Sequence, residues 1–280
     1  MKYRTTAFLA LLVSLLLSLT VPASAGKTAE TAKTPEPRLC GTSKELSEYV
    51  LQLVAKREEH ISVSIPKTLP EADMKGTELL GQILQQDSGY SRWGHHGGSA
   101  KKTIKSDRVV FEYKLTYRTT KKQDEEARRL AAGLVAKWGD MAKLPDSEKV
   151  GLLKTHISAN WRYDDTLANM NAYSTFKEGK GTCLGMTMAS QLLFDEMGIQ
   201  SRMIHGTLTD TGVIHIRLLV KLGELWYTFD PTFLARKTPV LSAYLKQDHG
   251  KEFVPDAEYL TDSFKKAYPM VPGDINGDKI

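Results

Sequence analysis

Apolar residues recur along this chain in two periods. From Thr42 to Glu59, Leu46, Tyr49, Val50, Leu53 and Val54 fall on one helical face, with Thr42 or Ser43 available as a cap. Ile61-Ser62-Val63-Ser64-Ile65 alternates as a strand and stops at Pro66. A second amphipathic helix is predicted over Lys75–Gln86, and a second strand over Asp107–Arg118, where Val109, Phe111, Tyr113, Leu115 and Tyr117 alternate. A third helix follows over Gln123–Trp138. Helix-strand-helix-strand-helix predicts a small α/β domain over residues 39–140. Inside it, Ser88–Lys102 follows neither period and reads as a surface loop, with Trp93 packed as its anchor.

The second half opens on a capped helix at Asp146-Ser147-Glu148-Lys149, with Val150, Leu153, Ile157 and Trp161 on one face and His156 beside it. Met186, Ala189, Leu192, Leu193 and Met197 mark another helix, stopped by Gly198. Val213–Val220 and Leu225–Asp230 then read as two strands joined through Lys221-Leu222-Gly223-Glu224. A turn centred on Leu222-Gly223 places His215 directly opposite Asp230, on one face of the hairpin. A one-residue slip would send the two side chains to opposite faces. Past Thr232 the pattern weakens to short helices at Pro239–Leu245 and Asp256–Tyr268.

These elements bring one chemistry into focus. In Gly179-Lys180-Gly181-Thr182-Cys183-Leu184-Gly185 the cysteine falls between a glycine-rich approach and a helix start. Unpaired N–H groups and the positive end of the helix dipole favour a thiolate there. A thiolate nucleophile needs a base, and the base needs a group to orient it. His215 and Asp230 supply both, which makes Cys183, His215 and Asp230 the candidate catalytic residues.

The three blocks, together with Gly198-Ile199-Gln200-Ser201-Arg202 and Trp226-Tyr227-Thr228-Phe229-Asp230-Pro231-Thr232, resemble a bacterial transglutaminase-like core domain over roughly residues 145–235. The resemblance implies an α+β, papain-like fold, in which the helix carrying the cysteine packs on an antiparallel sheet. It also implies a Cys-His-Asp triad with Cys183 as nucleophile, His215 as general base and acid, and Asp230 as orienter. Members need a second oxyanion donor beside the Cys183 backbone N–H, for which Tyr163 and Trp161 are the candidates, with Tyr163 favoured. Both also fit as core aromatics. This chain departs from many members after the histidine, where Ile216-Arg217 stands in place of an aromatic residue and an asparagine.

Met1–Ala25 reads as an export signal: Lys2 and Arg4, an apolar run from Ala7 to Val21, then Ala23-Ser24-Ala25. The run is shorter than the ~20 residues a membrane-spanning helix needs. Residues 26–38, rich in Lys, Thr, Pro and Glu, read as a linker ahead of the 39–140 domain, and residues 141–268 as the catalytic domain. Residues 269–280 read as a disordered tail, although Asp274, Asn276 and Asp278 match the start of a calcium loop. Lys279 stands where such a loop needs glycine, and the closing acid is missing.

The net charge of +5 over 280 residues gives no argument for nucleic acid. The two cysteines of an exported chain allow a Cys40–Cys183 disulfide, but the catalytic surroundings of Cys183 argue against it. His95-His96 lacks further ligands at metal spacing, so no metal or cofactor is expected. The expected partner is a protein or peptide substrate in the secreted or cell-envelope space. Acyl transfer to an amine, hydrolysis by a peptidase or amidase acting on peptides or cell-wall stems, and a catalytically silent binding module all stay open.

Overall fold

The computed structural model describes residues 36–236, 244–246 and 249–270. The 1–25 export signal, nearly all of the 26–38 linker, most of the expected Pro239–Leu245 helix and the calcium-like ending lie outside them.

The first half builds a four-stranded sheet. Strand β1 (Arg38–Leu39) leads to helix α1 (Ser43–Ala55), strand β2 (His60–Pro66), helix α2 (Gly76–Gln85) and the short helix α3 (Tyr90–Gly94). Strands β3 (His95–Ile104) and β4 (Arg108–Tyr117) complete it, in the order β1-β2-β4-β3. At the start of α1, Thr42 Oγ1 accepts the Glu45 N–H at 3.2 Å, which satisfies one open helix donor, and Glu45 accepts the N–H of Gly41, just before the cap, at 2.8 Å. Leu46, Val50 and Val54 of α1 meet Ile61, Val63 and Ile65 of β2, Leu79 and Ile83 of α2, and Phe111 of β4 in one core. Cys40 belongs to that core.

One expectation fails here. Ser88–Lys102 is not a loop: it carries α3 and most of β3, which pairs with β4 from His95↔Tyr117 to Ile104↔Val109. The strand is polar on both faces and interrupted by a bulge between His95 and Gly97, so no apolar alternation marks it. At Gly98 a Cβ would lie 2.1 Å from the Lys114 carbonyl, so the bulged strand needs glycine there.

Helix α4 (Lys121–Trp138) starts with a complete capping box, Thr120 and Gln123 bonding reciprocally. The sequence expectation groups α4 with the first half. Its buried residues Ala127, Ala131 and Val135 instead join a second core, shared with Val150, Leu153 and Ile157 of α5 (Asp146–Asn160). The same core takes Met186, Ala189, Leu192, Leu193 and Phe194 of helix α7 (Cys183–Glu196) and the inner residues of a five-stranded antiparallel sheet. That sheet runs β10 (Tyr244–Lys246), β9 (Leu225–Phe229), β8 (Ile214–Leu222), β7 (Ser201–Leu208), β11 (Phe253–Pro255). Before α7 the chain passes through β5 (Arg162–Tyr163), helix α6 (Ala172–Glu178) and β6 (Lys180–Gly181), β5 and β6 pairing in parallel. Helices α8 (Pro231–Arg236) and α9 (Asp262–Ala267) follow the sheet, α9 in place of a longer Asp256–Tyr268 helix.

Polar contacts join the two halves. Arg57, 3 % exposed, donates to Asp124 of α4 at 2.8 Å, and the Tyr90 hydroxyl donates to the same carboxylate at 2.9 Å. Arg92 of α3 binds Glu258 at 2.6 Å, and Arg202 of β7 donates to the Asp87 carbonyl at 2.7 Å.

Candidate active site

Cys183 is the first residue of α7. Thr182 caps the helix, its side chain accepting the Gly185 N–H at 3.3 Å, while the Thr182 N–H donates to the Asn169 carbonyl at 2.9 Å. A Cβ at Gly185 would sit 2.5 Å from that same carbonyl, so a glycine is required for the loop to close over the helix start. Cys183 is half-buried and carries no disulfide; Cys40 is also free, buried in the other core.

His215, 4 % exposed, is the second residue of β8, and Asp230, fully buried, follows the end of β9. The hairpin turn is tighter than expected. Leu222 pairs with Leu225 and Leu218 with Phe229, so the turn is Gly223-Glu224 and the register is displaced by two residues. His215 therefore does not stand directly opposite Asp230. An even shift keeps both side chains on the same face, however, and they meet diagonally, His215 Nε2 lying 2.6 Å from Asp230 Oδ2. The other carboxylate oxygen, Oδ1, accepts the N–H groups of Thr232 at 3.0 Å and Phe233 at 3.4 Å, so Asp230 also caps α8, with Pro231 in the first helical position. The Asp-Pro-Thr sequence thus aims the carboxylate: one oxygen is tied to a helix start and the other is free for imidazole.

With Nε2 donating to Asp230, Nδ1 is left for the Cys183 thiol, which hydrogen-bonds the ring. Burial of the ring pulls the His215 pKa down. The Asp230 carboxylate and the Cys183 side chain outweigh it and raise the pKa to about 9, so the imidazolium persists at neutral pH. Phe233 and Phe253 flank the ring at centroid distances of 5.5 and 6.2 Å. Arg217, two residues along β8, lies over Phe253 at 3.9 Å and donates to the His249 carbonyl at 2.9 Å. The residue that departs from the family pattern thus buttresses the wall of the histidine site.

The two oxyanion candidates part company. Trp161 is buried among His156 and Phe176, edge-on to both, as a core aromatic. Tyr163 pairs with Gly181, two residues before Cys183, and feels the charge of Cys183, with the Arg236 guanidinium over its ring at 3.9 Å. Burial and Cys183 together push the Tyr163 hydroxyl up from its ordinary value.

Asp164 escaped the sequence reading. It is fully buried and accepts the Thr166 hydroxyl at 2.6 Å and the N–H groups of Thr166, Ala168 and Asn169 at 3.1, 3.1 and 2.9 Å, with Lys180 Nζ at 3.0 Å. The Thr166 hydroxyl and these other donors hold its carboxyl far below the usual carboxylate range. Asp164 thereby fixes the loop whose Asn169 carbonyl holds the cap of α7. The Asp164-Asp165-Thr166 run is an Asx-turn signal that could have flagged it.

His95 and His96 lie on β3, and no cluster of three or more His, Cys, Asp or Glu among the described residues is arranged to hold a metal. No described helix is long and apolar enough to cross a membrane.

Residues 128–231 match the family model described as Transglutaminase-like superfamily. Among solved structures, a crystal structure of a TGase overlaps with a TM-score of 0.36 at 14 % identity, over 71 % of this chain and 60 % of that one. A candidate cysteine protease from Cytophaga hutchinsonii overlaps at 0.33 and 15 % identity, over 49 % of this chain and 63 % of its own. The chain thus spans less than two thirds of either protein. No curated protein matches it. The family match covers the segment that holds Cys183, His215 and Asp230, which lies in a core of mixed helix and strand.

Proposed function

We propose that this protein is an exported cysteine-dependent acyl-transfer enzyme that attacks a carboxamide through a thioester. The observation that carries the reading is the position of His215, bonded to Asp230 through one ring nitrogen and to Cys183 through the other. Cys183 Sγ, as thiolate, adds to the carbonyl carbon of a glutamine side chain or a peptide bond. The developing oxyanion is met by the Cys183 backbone N–H at the open start of α7 and by the Tyr163 hydroxyl. His215 gives its proton to the leaving nitrogen as the C–N bond breaks, releasing ammonia or an amine and leaving the thioester. An incoming amine or water then loses its proton to His215, attacks the thioester carbon and expels the thiolate. Asp230 keeps the ring in the tautomer that makes both transfers possible.

Incubation with a casein-type protein and a fluorescent primary amine tests the reading. Label incorporated into the protein means transfer; fragments without label mean a peptidase; neither product, with Cys183→Ala indistinguishable from the parent, means a binding module and removes the enzyme assignment. Export with removal of residues 1–25 belongs to the same proposal. N-terminal sequencing of the protein recovered from outside the cytoplasm should begin at Gly26.

A further inference from the structure

The stretch from Trp93 to Ala100 has no part in this chemistry, yet it lines a cavity of about 460 Å³. Leu80, Gly81 and Leu84 of α2 form one side and residues 97–100 of β3 another, with Trp93 and Arg118 also on the wall. The volume lies in the range that holds small ligands and side-chain anchors. Three features say what fits it.

First, successive residues of a strand point to opposite faces, so a cavity that meets 97, 98, 99 and 100 in a row meets the strand along its backbone. β3 is the end strand of its sheet, and its outer edge pairs with no other described strand. Gly97 and Gly98 leave that backbone bare. Second, Leu80 and Leu84 give the α2 wall an apolar strip between Thr77 and Gln85, and that wall has room: a Cβ at Gly81 would meet nothing within 4 Å. Third, Arg118 is half withdrawn from water without a counter-ion. Its Nε donates to the Trp93 carbonyl at 3.1 Å and its Nη1 lies 4.0 Å from Met170 Sδ, and among the described residues no carboxylate is within ion-pair distance. Burial pulls the pKa of this guanidinium down.

We propose that this cavity receives the C-terminal end of an extended peptide, which adds as a strand to the open edge of β3, seats an apolar last side chain against Leu80 and Leu84, and sets its terminal carboxylate on Arg118. Main-chain pairing supplies affinity in such sites, the pocket and the cation supply selection, and a terminal carboxylate is the anion an extended chain brings with it. Met170, which Arg118 Nη1 approaches at 4.0 Å, follows Asn169, whose carbonyl holds the cap of the Cys183 helix. This docking site is independent of what Cys183 does.

The test is fluorescence anisotropy with the full chain and a fluorescein-labelled hexapeptide ending in leucine, prepared as the free acid and as the C-terminal amide. The free acid should bind saturably and at least about tenfold more tightly than the amide. Arg118→Gln should bring the acid down to the amide's affinity. Gly81→Leu fills the cavity from a helical position with space for it, so the variant should stay folded, checked by circular dichroism, and lose binding of both peptides. Equal binding of acid and amide, undiminished binding by Gly81→Leu, or no saturable binding of the free acid overturns the proposal.

Discussion

The two cysteines sit in regions built on opposite terms. Around Cys40 the chain closes a dry core of aliphatic and aromatic side chains, and burial pushes the thiol up from its ordinary value. Around Cys183 the polar groups are equally buried, but they are joined: Asp230 to His215, His215 to the thiol, Asp164 to the loop beneath the helix start. Burial alone makes a cysteine inert, whereas burial of its partners, with the sulfur left half-open at a helix N-terminus, suits Cys183 to the nucleophile's role proposed for it. The lesson concerns connection: the first region uses its buried atoms to exclude water, the second to hold protons.

The sharpest way to break this contrast is substitution at the sulfur. Cys183→Ala should lower amine incorporation or hydrolysis by about 10⁴-fold or more, with the thermal midpoint little changed. Retained turnover would place the chemistry elsewhere. Next in size, Asp230→Asn should cost about 10²- to 10⁴-fold in kcat/KM. It should also move the alkaline limb of the pH profile, expected near 9 with Asp230 present, down by about 1–3 units. An unmoved limb would detach His215 from that ionisation. Tyr163→Phe should cost about 10²-fold in kcat with KM nearly constant, and Trp161→Phe should leave the kcat-to-KM split as it was.

Stability offers the smaller effects. His215 holds its proton more tightly in the fold than in the unfolded chain, where histidine titrates near 6.5, so its contribution is complete below 6.5 and is lost as the pH rises through about 9. Urea unfolding at about pH 6 and about pH 10 should show that decline, and His215→Ala should lack it. Asp164→Asn should cost about 2 kcal/mol or more, because an amide cannot accept all the bonds the carboxylate now takes. Cys40→Ala, the smallest, should cost about 1–2 kcal/mol and leave activity untouched.

What the sequence made legible follows from what side chains advertise. Helices α1, α4, α5 and α7 and strands β2, β4, β8 and β9 carry apolar periods, α1, α4 and α7 also side-chain caps, and each element is found within a few residues of its expected place. The order of Cys183, His215 and Asp230 along the chain was readable because a helix start and a hairpin are local structures. The hairpin register was not. Nothing in Lys221-Leu222-Gly223-Glu224 fixes a four-residue turn over the two-residue turn Gly223-Glu224, and pairing Leu218 with Phe229 decided it through the core. Strand β3 was missed because its partner, β4, supplies the apolar content for both. Asp164 was missed because its donors are mostly backbone N–H groups, and backbone groups look alike in every sequence.

The most direct test uses both cysteines in one tube. Native protein is treated briefly with iodoacetamide at about pH 6, where ordinary thiols are almost wholly protonated, and labelling of each cysteine is followed by peptide mass spectrometry. Cys183 should be modified rapidly, Cys40 not at all until the protein is unfolded, and His215→Ala should slow Cys183 to the rate of an ordinary thiol. Slow labelling of Cys183 in the parent protein, or an unchanged rate in His215→Ala, would contradict the paired thiolate and imidazolium on which the enzyme assignment stands.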